Sequence, residues 1–296
     1  MKPAHRLAVL TAAATGVLIV FGGLVTNTGA AMAVPDWPTT FGHNMFLFPF
    51  SGMVGGVFYE HSHRLLGALV GLLTLALAVT LWRAGGRLRA LGVVAVAAVV
   101  VQGVIGGLRV VLTADALAMV HGPLAQAFFA FVVALALLTS ATMAAPAPSL
   151  DAVTRGLTVA TAALVYLQIV FGALLTHAGY LALHLLGALA VFVVAPMATA
   201  RLRRSGDAVA APAARLALVL LGLQLVLGAG SYLARFSALW IPGGQLTMLA
   251  LPVAHRLAGG LLLATAVVMA VRVLAAARPA PAFDLTHGPP AIGVAR

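Results

Sequence analysis

The sequence predicts an all-α polytopic membrane protein: eight transmembrane helices in two pseudo-symmetric four-helix bundles, both termini cytoplasmic. Three observations predict it. Of 296 residues, 62% are hydrophobic and only 8% are charged, whereas a soluble domain carries about 25% charged residues. The apolar residues form long continuous runs rich in Ala and Leu, close to the ~20 residues a spanning helix needs, and not the short alternating segments of a β-barrel. The runs also repeat one local pattern, a glutamine and glycine on one helix followed by a histidine opening the next.

The apolar stretches lie at approximately 7–26, 63–82, 91–112, 118–140, 157–177, 180–200, 214–233 and 250–274. The first follows Lys2 and Arg6 but shows no convincing small-residue cleavage site ahead of a soluble domain, so a retained helix is expected rather than a signal peptide. The second is preceded by a long connection, 27–62, and the last by a shorter one. The Pro- and Ala-rich tail, 279–296, is expected to be disordered.

The 17 basic residues set orientation. Thirteen fall on one side, including Lys2, Arg6, Arg83, Arg87, Arg89, Arg155 and Arg201. Four fall on the other: Arg64, Arg109, Arg235 and Arg256. That bias predicts cytoplasmic termini and an outer face carrying the loop 27–62. The net charge of +11 does not point to nucleic acid, because the basic residues are scattered between apolar runs and do not form one solvated face. Cysteine is absent, which excludes disulfides, iron–sulfur clusters, thiolate metal sites and covalent c-type heme attachment.

Gln102-Gly-Val-Ile-Gly106, Gln168-Ile-Val-Phe-Gly172 and Gln224-Leu-Val-Leu-Gly228 share one pattern, each on an odd-numbered helix; Leu18 and Gly22 hold the matching places on the first. Each of these helices is followed by one opening with a histidine: His63, His121, His184 and His255. His63-Arg64-Leu65 also echoes His255-Arg256-Leu257. The simplest account is a duplicated four-helix unit, with halves at 1–146 and 147–278. Four crossings bring both halves in from the same side, so the repeat is parallel.

Two imidazoles projecting inward from different helices of a bundle are a natural way to hold a heme iron axially. Glycines nearby, among them Gly106, Gly107, Gly172, Gly228, Gly259 and Gly260, would let a flat macrocycle approach the backbone. An interfacial histidine capping a helix is the ordinary reading of any one of these residues. Four at equivalent places in a chain so poor in polar groups point instead to function. Zinc fits less well, since it wants three or four protein ligands and each half offers two clear histidines.

Glu60 breaks the symmetry. It stands three residues before His63, on the same helix face, and the second half has no counterpart. Such a carboxylate could orient the ligand or move protons; the alternative is an acid that satisfies the helix N-terminus. His61 projects away from His63 and is secondary. Arginine forks suit carboxylates, so Arg64, Arg109 and Arg256 are candidate partners for heme propionates, with snorkelling as the alternative. His177 has no repeat partner. His5, His43 and His287 are expected to be solvated. The loop from Thr26 to Tyr59, with Pro35-Asp36-Trp37-Pro38 and a run of aromatics, reads as a lid over the first-half site or as a segment lying on the membrane surface.

Taken together, Gly-Gly-Leu-Val-Thr near the end of the first helix, Asp36-Trp37-Pro38, Glu60-x-x-His63-Arg64, His121, and the pair His184 and His255 resemble heme A synthase over nearly the whole chain except the tail. The resemblance implies oxidation of the C8 methyl of heme o to a formyl group, giving heme A for the terminal oxidase. It implies that His63 and His121 flank the substrate heme, that Glu60 assists the oxidation, and that His184 and His255 hold a heme b that passes electrons. It also implies a place in the inner (plasma) membrane with the heme sites toward the outer face, among lipid. The heme o synthase and an electron acceptor are the implied partners. Many bacterial members carry paired cysteines in outer loops; this chain has none, so loop stability must come from packing. The alternatives are a bis-histidine di-heme electron carrier of the quinol-linked cytochrome b type, which leaves Glu60 and the long loop unexplained, and a transporter, which would carry ionisable groups near the midplane.

Overall fold

A computed structural model describes residues 2–145, 150–237 and 242–276. Among them are eight α-helices: α1 (Lys2–Asn27), α2 (Gly55–Ala84), α3 (Gly86–Val111), α4 (Ala116–Leu138), α5 (Ala152–Ala178), α6 (Leu181–Leu202), α7 (Ala210–Phe236) and α8 (Gly244–Ala276). All eight are long and apolar enough to cross a membrane, and no strand occurs among the described residues. The predicted tail and the boundary between the two predicted halves lie outside these residues.

Several helices outrun their apolar stretches. α2 begins eight residues before 63 and α8 six residues before 250, because a helix continues through polar residues that a hydropathy reading assigns to loops. The connections are short where glycine can supply left-handed backbone. Gly85 (φ +75°) turns α2 into α3, and Gly179 (φ +76°) closes α5 ahead of α6, the usual use of glycine past a helix end.

Packing follows chain order. α1 contacts α2 and α4, α2 contacts α3, and α3 contacts α4; likewise α5 contacts α6 and α8, α6 contacts α7, and α7 contacts α8. Across the middle, α4 meets α5 and α8, and α1 meets α8. α8 is therefore the central helix: 67% of its most apolar stretch is buried, against 44% for α4 and 28% or less for the others. Ala264, Ala266, Met269 and Val273 on α8 join Ile19, Phe129, Val165, Val191 and Leu220 in the main core. Leucines and valines facing outward, such as Leu72, Leu189 and Val219, give the apolar surface that lipid covers.

Several buried threonines are satisfied within their own helix, as a membrane interior demands. Thr15, Thr74, Thr158, Thr199 and Thr265 each donate to the carbonyl four residues back. At the end where α1 begins and α8 finishes, Arg272 of α8 pairs with Asp207 at 2.9 Å and donates to the carbonyls of Met143 and Ala145. This pair ties the α4–α5 and α6–α7 connections to α8.

Candidate functional site: two histidine pairs, one beside a long loop

The repeat becomes geometry at the opposite end. His63 of α2 and His121 of α4 face each other with ring centroids 6.5 Å apart and planes at 76°. His184 of α6 and His255 of α8 do the same at 6.3 Å and 70°. Each ring has a glycine seat on the preceding helix. A Cβ at Gly22 would lie 3.2 Å from Cε1 of His63, at Gly106 3.2 Å from that of His121, at Gly172 3.4 Å from that of His184, and at Gly228 3.0 Å from that of His255. These are the four glycines of the sequence pattern. The main chain of the residue four before each glycine also lies beside the ring: Leu18, Gln102, Gln168 and Gln224 in turn.

The glutamines brace these contacts. Nε2 of Gln102 donates to the carbonyl of His121 at 3.2 Å, and Nε2 of Gln168 to that of His184 at 2.9 Å. Gln224 packs against Gly259 instead.

The donor set fits an iron held between two imidazoles. With metal–nitrogen bonds of about 2 Å and about 1.1 Å from nitrogen to ring centre, two such rings stand roughly 6 Å apart. Nδ1 of His63, His121 and His255 is buried without a hydrogen-bond partner, and orphaned buried polar atoms of this kind call for a ligand or ion to satisfy them. Among the described residues, nowhere do three or more His, Cys, Asp or Glu side chains gather.

Among the described residues, the first pair alone has a strap beside it. Arg64 donates from Nη1 to the carbonyls of Asp36 (2.6 Å) and Thr39 (3.0 Å), and from Nη2 to the carbonyl of Val34 (3.0 Å) and to Oε1 of Glu60 (2.7 Å). Oε2 of Glu60 accepts from the N–H of Val34 at 3.0 Å. Glu60 is thus turned to the loop, with both oxygens engaged there, and it is the one carboxylate buried at this end among the described residues. Arg64 does meet a carboxylate as its fork predicts, but the carboxylate is the chain's own. His61, secondary in the sequence, is fully buried, 3.0 Å from the hydroxyl of Thr40 and against the ring of Phe48.

The strap is folded on itself. Asp36 accepts from Thr39 and from the N–H groups of Phe41 and Gly42. Burial opposes ionisation of its carboxyl, but these hydrogen bonds prevail and hold its pKa down at about 2. Trp37 lies against Gly107 of α3, where a Cβ would collide with the indole; Gly107 adjoins Gly106, the seat of His121.

Arg109 stands at the end of α3, paired with Asp115 at 3.4 Å. Arg256 reaches the carbonyl of Gly23 at 3.5 Å, while its own carbonyl accepts from Gln126. His177, which has no repeat partner, lines a cavity of about 370 Å³ with Arg109 and Arg235. Arg235 escaped the sequence reading. The signal was its place among the four basic residues on the minority side. His5 is half-buried and lies 2.9 Å from the carbonyl of Ala136 rather than in solvent, because α1 packs on α4. His43 stays exposed in the loop, with its ring beside Phe48.

Known proteins resemble this chain. It is 31% identical to heme A synthase of Shouchella clausii over 184 residues, 60% of each chain. It is 33% identical to heme A synthase of Bacillus licheniformis over 142 residues, 46% of this chain and 45% of the relative. It is 31% identical to that of Geobacillus kaustophilus over 172 residues, 54% and 52% of the two chains. The matched part thus spans about half to three-fifths of these curated relatives. The COX15-CtaA family, described as cytochrome oxidase assembly protein, matches residues 5–184, which include Glu60, His63, His121 and His184. With more than half of its length matched, this chain belongs to the COX15-CtaA family of cytochrome oxidase assembly proteins.

Proposed function

We propose that the chain is a heme A synthase, converting the C8 methyl of heme o to a formyl group. The observation that carries this reading is the asymmetry of two otherwise equal histidine pairs: both have iron-spanning separation, and among the described residues only His63–His121 has a carboxylate and a strap beside it. In this reading each half, 1–146 and 147–278, is a bundle; the contact order of α1–α4 and of α5–α8 supports that division. The His63–His121 pair takes heme o as substrate. The His184–His255 pair holds heme b, which supplies one-electron redox chemistry when bound.

The balance of the reaction is simple. The methyl carbon gains an oxygen from water and loses four electrons and four protons, and the electrons leave to a membrane acceptor. The chain's own part is to hold the substrate, limit water and take protons. Arg64 and Glu60 hold the strap over the first pair, and Trp37 on Gly107 closes its α3 side. Glu60 is the group suited to receive protons there, since carboxylates near reacting centres serve as bases. Arg109 and Arg256 remain the propionate partners of the two sites; Arg64 is assigned to the strap. The positive-inside bias supports an inner-membrane protein with this end outward, where the heme o synthase and the acceptor would be neighbours.

The test is product analysis. Cells making heme o and this chain should yield extractable heme A, and Glu60→Gln should keep the heme b spectrum while heme A falls at least tenfold. Two bound hemes with no heme A from the wild type would instead establish an electron carrier.

A further inference from the structure

The cavity of about 370 Å³ between the helix ends is lined by Arg109 of α3, His177 of α5 and Arg235 of α7, with Thr26, Met119 and one carboxylate, Asp115, also on its wall. Its charge is unbalanced. Two guanidinium groups, Arg109 and Arg235, line it against a single carboxylate among the described residues, Asp115. Asp115 compensates little: its contact with Arg109 is 3.4 Å long and its side chain is 82% exposed, so solvent screens the pair.

Two donors near the cavity also lack partners. Nε of Arg109 and Nδ2 of Asn27 are buried without hydrogen-bond partners, and such groups in a native protein call for an acceptor. Arg235, from α7, reaches across to Oδ1 of Asn27 on α1 at 2.6 Å. A residue of the second half thus stands over the first.

Position decides which anion. Arg109 lies three residues beyond Gly106, the seat of His121, on the same helix. At 1.5 Å per residue that is about 5 Å along the helix, within reach of the carboxylate arm of a macrocycle held by those rings.

We propose that this cavity is a carboxylate site completed across the two halves, in which Arg109 and Arg235, with Asn27 and His177 beside them, hold a propionate of the heme on the His63–His121 pair. The proposal rests on the heme reading given above and adds a positioning residue, Arg235, from the other half. Arg235 does not touch reacting atoms. It fixes the plane of the substrate by gripping its acidic edge, as a guanidinium fork can.

The test is binding, not turnover. The full chain, produced under heme limitation and purified, is titrated spectrally with hemin and with hemin dimethyl ester, whose carboxylates are masked. The wild type should bind hemin about tenfold more tightly than the ester. Arg235→Gln should lose that margin at one of the two heme equivalents and bind the ester as the wild type does, which also shows that it is folded. Arg235→Lys should recover part of the margin, retaining the charge without the fork. Equal wild-type affinity for the two ligands, or an Arg235→Gln variant that keeps the full margin, overturns the proposal and leaves the heme reading standing. Uptake of neither ligand overturns the heme reading and this proposal with it.

Discussion

At Gly228 one hydrogen atom decides whether a ring can sit. A Cβ there would come within 3.0 Å of Cε1 of His255, closer than unstrained packing allows, and the backbone of α7 cannot yield as a flexible side chain would. Gly228→Val should reduce bound heme from two equivalents to one, while Gly222→Ala on the same helix, with nothing within 4 Å of its new methyl, should bind two. A heme-to-protein ratio from absorption checks both. Asp36 gives a pH-dependent counterpart. Its folded pKa of about 2 lies below the ordinary 3.8, so its hydrogen bonds stabilise the strap fully above about pH 4, and that contribution is lost as pH falls from 4 toward 2. Protease nicking of the 28–54 segment should rise over that window in the wild type. In Asp36→Asn the rise should be absent, with nicking already elevated at neutral pH.

The strap is the element whose integrity hangs on one buried ion pair. Glu60 and Arg64 have side chains only 6% and 9% exposed, and removing one partner of such a pair leaves the other charged and desolvated, a loss of about 3–5 kcal/mol. Arg64→Ala should therefore release the strap and lower thermal stability. Glu60→Gln with Arg64→Met should recover part of the loss, since neither neutral side chain leaves an unpaired buried charge. If Arg64→Ala leaves both nicking and Tm unchanged, the pair does not hold the strap. This element was only half legible in the sequence. Asp36, Trp37, Glu60 and Arg64 stood out by type, but three of the acceptors of Arg64 are main-chain carbonyls, which carry no residue signal. The burial of His61 was hidden for a related reason. Helix periodicity turned it away from His63, and what it turned toward, Thr40 and Phe48, is distant in sequence.

Across the whole molecule the helices were legible, because lipid imposes length and composition on every span. The histidine pairing followed from the repeat. The central place of α8 did not: its residues read as apolar like those of its neighbours, and no pattern of types distinguishes a helix buried in protein from one facing lipid. Its anchorage is testable. The Asp207–Arg272 pair, with side chains 2% and 3% exposed, joins α8 to two connections, and Asp207→Ala should destabilise the chain by about 3–5 kcal/mol. Asp207→Asn should cost less, keeping an acceptor for Arg272. Unfolding in mixed detergent would rank the variants, and equal midpoints for wild type and Asp207→Ala would remove the pair from the account.

The glycine seats have a consequence for biogenesis. Each histidine is cradled by the helix made just before it: α1 serves α2, α3 serves α4, α5 serves α6 and α7 serves α8. If the histidines hold heme as proposed, a hairpin that inserted as a unit would carry one half of a clamp with its imidazole already aimed. No hairpin can close a clamp alone. Iron captured between two of them would act as a rivet joining successive products of translation, so heme supply and helix assembly become steps of one process.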